Sequence, residues 1–230
     1  MTRRRAEQSV ASRHADVRRA AREHFDRWAL SYDRSRLNEL IFFPTIRVVQ
    51  EEIARWQQLR RPQAFRLLDI GCGTGTLVTL AARPPEAELV VGLDYSPAML
   101  RFLEEKIAAS PHGAKMHAVQ GDAERLPFED ASFDVVACCN SFHHYPHQAA
   151  VMRGFRRVLR PGGVLILVDG FRDNVVGWVI FDVFVAGIEG HVHHAAWSAV
   201  RDMVRAAGFA RLQQRKAGVL APLLVTVAGV

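Results

Sequence analysis

Five stretches of the chain are apolar runs closed by a polar or small residue: RLLDIG (66–71), AELVVGLDY (87–95), KMHAVQGD (115–122), FDVVACCNS (133–141) and GVLILVDGF (163–171). Runs that are continuous rather than alternating belong to strands buried on both faces. Between them lie helix-compatible segments: TLVTLAAR (76–83), SPAMLRFLEEKIAAS (96–110) and PHQAAVMRGFRRVLR (146–160). Ser96 is placed to cap the second of these with Pro97 in its first turn, and Pro161-Gly162-Gly163 closes the third. The link between the third and fourth strands, AERLPFEDAS, is short and turn-rich. Strands joined through helices imply a parallel sheet in a doubly wound α/β domain, and right-handed crossovers put helices on both sides.

Beyond the fifth strand, VVGWVIFDVFVAGI (175–188) is apolar but falls short of the roughly 20 residues that a spanning helix needs. It reads as a buried or cavity-covering helix. HVHHAAWSAVRDMVRAAG (191–208) reads as a helix ending at Gly208, and FARLQQRKAG and APLLVTVAGV as two strands pairing antiparallel across the Ala217–Pro222 turn. The expected sheet is therefore seven-stranded and mainly parallel. Residues 13–57 read as helical material around SYDRS and FFP, too short to be a domain and so assigned to a lid. The expected organisation is an N-terminal basic arm and helical lid over 1–57 and a ligand-binding domain over 58–230.

Composition changes this picture little: 230 residues, 49% hydrophobic and 23% charged, suit one globular domain and exclude disorder, collagen and a disulfide scaffold. Charge adds more. The net charge is +6, and residues 1–27 supply +4 of it through eight arginines against four acids. With the body nearly neutral, no nucleic-acid partner is expected; the arm is a solvated face or a peripheral contact with an acidic membrane surface. Cys72, Cys138 and Cys139 lack metal or disulfide spacing, and adjacent strand residues point to opposite faces, so no metal is expected. A reducing cytoplasm suits three free thiols. No apolar stretch follows MTRRR as a secretory signal would require, and Glu7 and Asp16 count against a transit peptide.

The chemistry centres on Asp69-Ile70-Gly71-Cys72-Gly73-Thr74-Gly75, where an apolar strand runs into a glycine-rich turn and then a helix. In an open α/β sheet that is where ligands sit. A dinucleotide fingerprint needs G-x-G-x-x-G, but residue 76 is Thr and the third glycine falls at 75, which strains a nicotinamide reading.

The pattern D-x-G-x-G-x-G resembles the first motif of class I S-adenosylmethionine-dependent methyltransferases. Asp94 closing VVGLD, Asp122 in Gly121-Asp122-Ala123 and RVLRPGGVLILVD (157–169) fall where that family has its later motifs. HFDRWALSYDRS (24–35) and GDAERLPFEDASFDVV (121–136) look like the small-molecule branch akin to ubiquinone/menaquinone-biosynthesis C-methyltransferases. The resemblance implies that S-adenosylmethionine is the cofactor. It places Asp94 on the ribose hydroxyls, Asp122 on the adenine amino group and Tyr32 against the cofactor. Asp69 either reaches the methionine amino group or holds the loop backbone. Gly71, Cys72, Gly73 and Gly75 line the cofactor, and Tyr95, Met99, Ala123 and Asn140 complete the expected set. Residues 174–194 match no pattern and fall where such enzymes build the acceptor pocket.

Asn140-Ser141-Phe142-His143-His144 would then face the acceptor, without the Asn/Asp-Pro-Pro-Tyr/Phe-like sequence of adenine- and glutamine-N-methylating relatives. His143 or His144 is the base if the acceptor must lose a proton, packing being the alternative role. Asp134 begins its strand at the remote end and reads as structural. His191, His193 and His194 have a metal-like density but no acid or cysteine to complete a set. The expected reaction is O- or C-methylation of a small aromatic or apolar molecule. The rivals are methylation of a lipid or quinone precursor at a membrane surface and a non-catalytic cofactor-binding subunit. The oligomeric state is left open.

Overall fold

The computed structural model describes residues 36–60, 63–170, 195–217 and 223–230, with backbone alone for 36–43. In chain order the elements are α1 (Arg36–Arg60), β1 (Phe65–Ile70), α2 (Thr76–Ala81), β2 (Ala87–Asp94), α3 (Pro97–Ala109), β3 (Met116–Gln120), β4 (Phe133–Cys139), α4 (Gln148–Val158), β5 (Leu159–Gly170), α5 (Trp197–Ala206), β6 (Arg211–Ala217) and β7 (Leu223–Gly229). The seven strands lie in the order β3-β2-β1-β4-β5-β7-β6. β1 to β5 pair in parallel, while β7 runs antiparallel to both β5 and β6. The strand order reverses between β1 and β4, so the switch point lies where the glycine-rich turn leaves β1.

The pleat sends alternate residues of β1, β4 and β5 into two cores. Leu68, Ile70, Val136, Cys138, Leu165 and Leu167 face α4 and α5, which add Val151, Met152, Phe155, Val200 and Val204. Leu67, Val135, Ala137, Ile166 and Val168 face α1, α2 and α3, which add Val49, Ile53, Trp56, Val78, Leu100 and Leu103. Cys138 is buried in the first core and Cys139 packs against the second, the opposed placement expected of strand neighbours.

α1 corrects the boundary expected at residue 57, which falls inside the helix. Its stripe of Thr45, Val49, Ile53 and Trp56 is buried against the sheet, so this helix is a layer of the domain rather than a cover over it. Glu52 fixes it to the far edge, accepting from Arg215 of β6 at 2.9 Å. The rest of the proposed arm and lid, Tyr32 included, and the 174–194 segment with its three histidines lie outside the described residues.

α3 begins as the sequence predicts: Ser96 Oγ accepts from the Met99 N–H at 3.1 Å, with Pro97 in the first turn. β5 begins earlier than expected, at Leu159, which pairs with Phe133; Arg160-Pro161-Gly162-Gly163 is an irregularity inside the strand, with Gly162 at φ +78°, before pairing resumes at Val164.

Candidate cofactor and acceptor site

Parallel pairing brings the carboxyl ends of β1 to β5 to one edge of the sheet, and with them Asp69, Asp94, Asp122, Asn140, His143 and His144. Hydrogen bonds lock these ends together. Gly71 and Cys72 donate to the Leu93 carbonyl at 2.8 and 3.1 Å, and Gly121 donates to the Asp94 carbonyl at 3.0 Å. Ser141 Oγ donates to the Ile70 carbonyl at 3.0 Å and accepts from Tyr145 Oη at 3.2 Å. Burial raises the Tyr145 hydroxyl well above its ordinary range, which keeps it a donor.

The glycine turn is shaped from both sides. Gly71, at φ +71°, has Ser141 and the Tyr145 hydroxyl packed against its Cα, so a side chain there would collide with the end of β4. Gly73, at φ +54°, differs: among the described residues, its chain neighbours apart, no atom lies within 4 Å of where its Cβ would stand. Its peptide N–H donates to Asp94 Oδ2 at 2.8 Å. Gly73→Ala should therefore fold with a loss of about 1 kcal/mol from left-handed strain yet lose at least about tenfold in cofactor affinity, because the methyl enters ligand space. Calorimetric titration beside a melting curve checks this; an Ala variant that binds like the parent would place the ligand elsewhere.

Asp94 is half-buried and accepts two backbone N–H groups, Gly73 on Oδ2 and Ser96 on Oδ1 at 2.9 Å. It thus sets the turn. Asp122 Oδ1 accepts from the Glu124 N–H at 2.9 Å and starts a 3-10 turn over Ala123–Arg125. Asp69 is 2% exposed, and no hydrogen bond to its carboxylate forms among the described residues. Burial first, and the Asp94 charge second, raise it to about 8. Such an orphaned acid beside an open backbone cradle fits a ligand carrying a cation. S-adenosylmethionine has an ammonium and a sulfonium, and a buried acid beside a glycine turn fits such a group.

The other expected residues are arranged around that centre. Cys72 is half-buried, its thiol pushed up by burial. Gly75, at φ +78°, is in contact with Leu103 of α3. Tyr95 is 41% exposed, whereas Met99 and Ala123 are buried. Asn140, at φ +53°, donates from Nδ2 to Thr45 Oγ1 of α1 at 2.7 Å and so ties that helix to the end of β4. Asp134 accepts from Arg66 N and Arg160 Nη1 at the opposite end of the sheet, a structural placement.

One residue escaped the sequence reading. Asp169, buried at the end of β5, accepts from the His143 N–H at 2.9 Å and the Gly170 N–H at 2.8 Å, and faces His143 Nδ1 at 2.6 Å. The signal was present: an acid closes the apolar run GVLILVD as Asp94 closes VVGLD. His144 lies beside His143, ring centroids 4.0 Å apart. Among the described residues no group of three His, Cys, Asp or Glu could hold a metal ion, and no helix is long and apolar enough to cross a membrane.

Comparison with known proteins points to one family. A family described as a methyltransferase domain matches residues 68–167, from within β1 through most of β5. The chain is 30% identical over 172 residues to the demethylmenaquinone methyltransferase of Staphylococcus carnosus, covering 72% of this chain and 68% of that protein. It is 33% identical over 157 residues to the demethylmenaquinone methyltransferase of Listeria monocytogenes, covering 67% of this chain and 63% of that one. The match thus spans somewhat less than two thirds of the Listeria protein's length. In fold it is similar to a SAM-dependent methyltransferase of Thermotoga maritima, with a TM-score of 0.64 at 18% identity, over 90% of this chain and 98% of that one. With the D-x-G-x-G-x-G turn at the switch point and acids closing β1 and β2, the chain belongs to the class I S-adenosylmethionine-dependent methyltransferases.

Proposed function

We propose that the chain transfers a methyl group from S-adenosylmethionine to a small aromatic or apolar acceptor, on carbon or oxygen. The observation that carries this is the Asp69–Gly73–Asp94 arrangement: an orphaned buried acid, an open glycine cradle and a carboxylate anchored by two backbone donors at the switch point. When bound, the cofactor supplies a methyl carbon on a positively charged sulfur. The chain's own part is to bind and align, since displacement at such a carbon depends on orientation and on excluding water. Asp69 and Asp94 hold the polar ends of the cofactor, Asp122 and the buried Ala123 bound the adenine side, and the ends of β4 and β5 face the acceptor. A quinone-type acceptor, met at a membrane surface through the Arg-rich arm, is the second reading; the demethylmenaquinone methyltransferases to which the chain is similar favour it.

The test is single-turnover transfer of a labelled methyl group to a panel of phenols, hydroquinones and demethylated naphthohydroquinones, beside calorimetry with S-adenosylhomocysteine. Label in a hydroquinone supports the proposal. Tight S-adenosylhomocysteine binding with no label in any acceptor would replace it by the binding-subunit reading.

A further inference from the structure

We infer that Lys106 of α3 is a positioning residue for the cofactor: through Thr74 and Thr76 its ammonium group holds the glycine turn in the geometry that binds. This rests on the methyl-transfer reading above and deepens it. Nothing in the D-x-G-x-G-x-G pattern points to a lysine in the last turn of a later helix, where a basic side chain ordinarily serves its own helix end. Lys106 also crosses to the turn. Its Nζ donates to Thr74 Oγ1 at 3.2 Å and to Thr76 Oγ1 at 3.5 Å, residues 32 and 30 positions earlier in the chain. An ammonium carries three donors, so both hydroxyls can be met at once, and a charged donor makes the stronger hydrogen bond. Lys106 is half-buried and Thr74 is 2% exposed, so the contact is made inside the domain and not by a side chain lying in solvent.

Position completes the argument. Thr74 stands between Gly73 and Gly75, at φ +54° and +78°, two residues whose backbone has many alternatives open to it. α3 takes hold of this turn at three heights. At its start the Ser96 N–H shares the Asp94 carboxylate with the Gly73 N–H. In its middle Leu103 packs so closely on Gly75 and on Gly92 of β2 that a side chain at either would collide with it. Three residues on, and so on the same face, Lys106 holds Thr74 and Thr76. The Leu103 contact is apolar and non-directional, whereas the two hydrogen bonds fix where Thr74 stands and with it the Gly73 N–H that meets Asp94. A turn ordered in advance loses less conformational freedom when a ligand binds, so removal of the ammonium should be felt in affinity more than in global stability.

The test needs no turnover. The full chain is titrated calorimetrically with S-adenosylhomocysteine, beside melting curves and amide hydrogen exchange read by NMR. Lys106→Met keeps an apolar stem and removes the ammonium; affinity should fall about tenfold while the melting temperature stays within a few degrees of the parent's. The Gly73 and Gly75 amides, which donate to Asp94 and to the Cys72 carbonyl, should exchange faster in that variant. Lys106→Arg returns a charged donor and should recover most of the affinity, and Arg101→Met, exposed on the same helix, should leave it unchanged. Thr74→Val combined with Lys106→Met should cost no more affinity than the larger single change, because the two residues act as one unit. If Lys106→Met folds poorly, Lys106→Gln replaces it. The inference is overturned if the variant without the ammonium binds like the parent, if its lost binding is matched by lost folded protein, or if Lys106→Arg binds no better than Lys106→Met. Binding by the parent separates the two failures: a parent that binds S-adenosylhomocysteine beside a Lys106→Met variant that binds equally removes the role of Lys106 and leaves the methyltransferase reading, while a folded parent that does not bind it removes both.

Discussion

Replacing Asp94 by Ala is expected to lower affinity for S-adenosylmethionine and S-adenosylhomocysteine by about 100-fold or more, as hydrogen bonds to a charged group contribute roughly 1.5–3 kcal/mol each. The effect has two parts. The carboxylate would no longer meet the ligand, and the Gly73 and Ser96 N–H groups would lose their acceptors, loosening the turn that shapes the cradle. Unmet buried donors cost about 1–3 kcal/mol each, so the melting temperature should fall by several degrees. Asp94→Asn keeps one carbonyl acceptor and should recover more of the stability than of the affinity. Calorimetry with both variants checks this, and an Asp94→Ala variant that binds like the parent would remove the cofactor assignment.

The second large effect concerns Asp69 and pH. Its carboxyl is raised to about 8 by burial and by Asp94. A carboxyl raised on folding contributes stability that is fully present below its unfolded value, near 4, and lost as pH rises through the folded value. The ligand-free chain should therefore become less stable as pH climbs from about 5 past 8, by on the order of a few kcal/mol. Asp69→Asn has no charge to bury, so its melting temperature should vary less with pH and exceed the parent's above pH 8. A bound ammonium reverses the preference by favouring the carboxylate. Cofactor affinity in the parent should accordingly rise with pH up to about 8, with proton release on binding below that value, whereas the Asn variant should bind at least about tenfold more weakly without that dependence. Melting curves from pH 5 to 9 and calorimetry in buffers of different ionisation enthalpy test both signs. Parallel stability profiles for parent and variant would show that Asp69 is not held neutral.

A trade of stability for binding is common at functional sites, and the surrounding residues show how it is confined here. Gly71 lies against Ser141, and Ser141 is hydrogen-bonded to Ile70 and Tyr145, so the turn beside the destabilised acid is rigidly supported. The Asn140–Thr45 hydrogen bond extends that support to α1. The open position at Gly73 is thus a local exception in a packed edge.

The parallel strands, the start of α3, the antiparallel last strand and the place of the glycine turn are legible in the residues alone. These follow from short-range rules: continuous apolar runs for buried strands, Ser96-Pro97 for a helix start, glycine where φ is positive. The acids closing β1, β2 and β3 were legible for the same reason, since a polar residue at the end of an apolar run marks where a strand reaches the sheet edge. Three matters were decided by tertiary structure. α1 is a core layer because Val49, Ile53 and Trp56 meet the β4–β5 face, a contact more than 80 residues apart in the chain. Asp69 is a raised acid because burial and Asp94, 25 residues away, act on it together. His143 meets a carboxylate because Asp169, 26 residues further on, reaches it only when β5 lies beside β4. Periodicity and capping are properties of neighbouring residues, whereas burial, charge coupling and the pairing of a histidine with its acid exist only once distant strands are side by side.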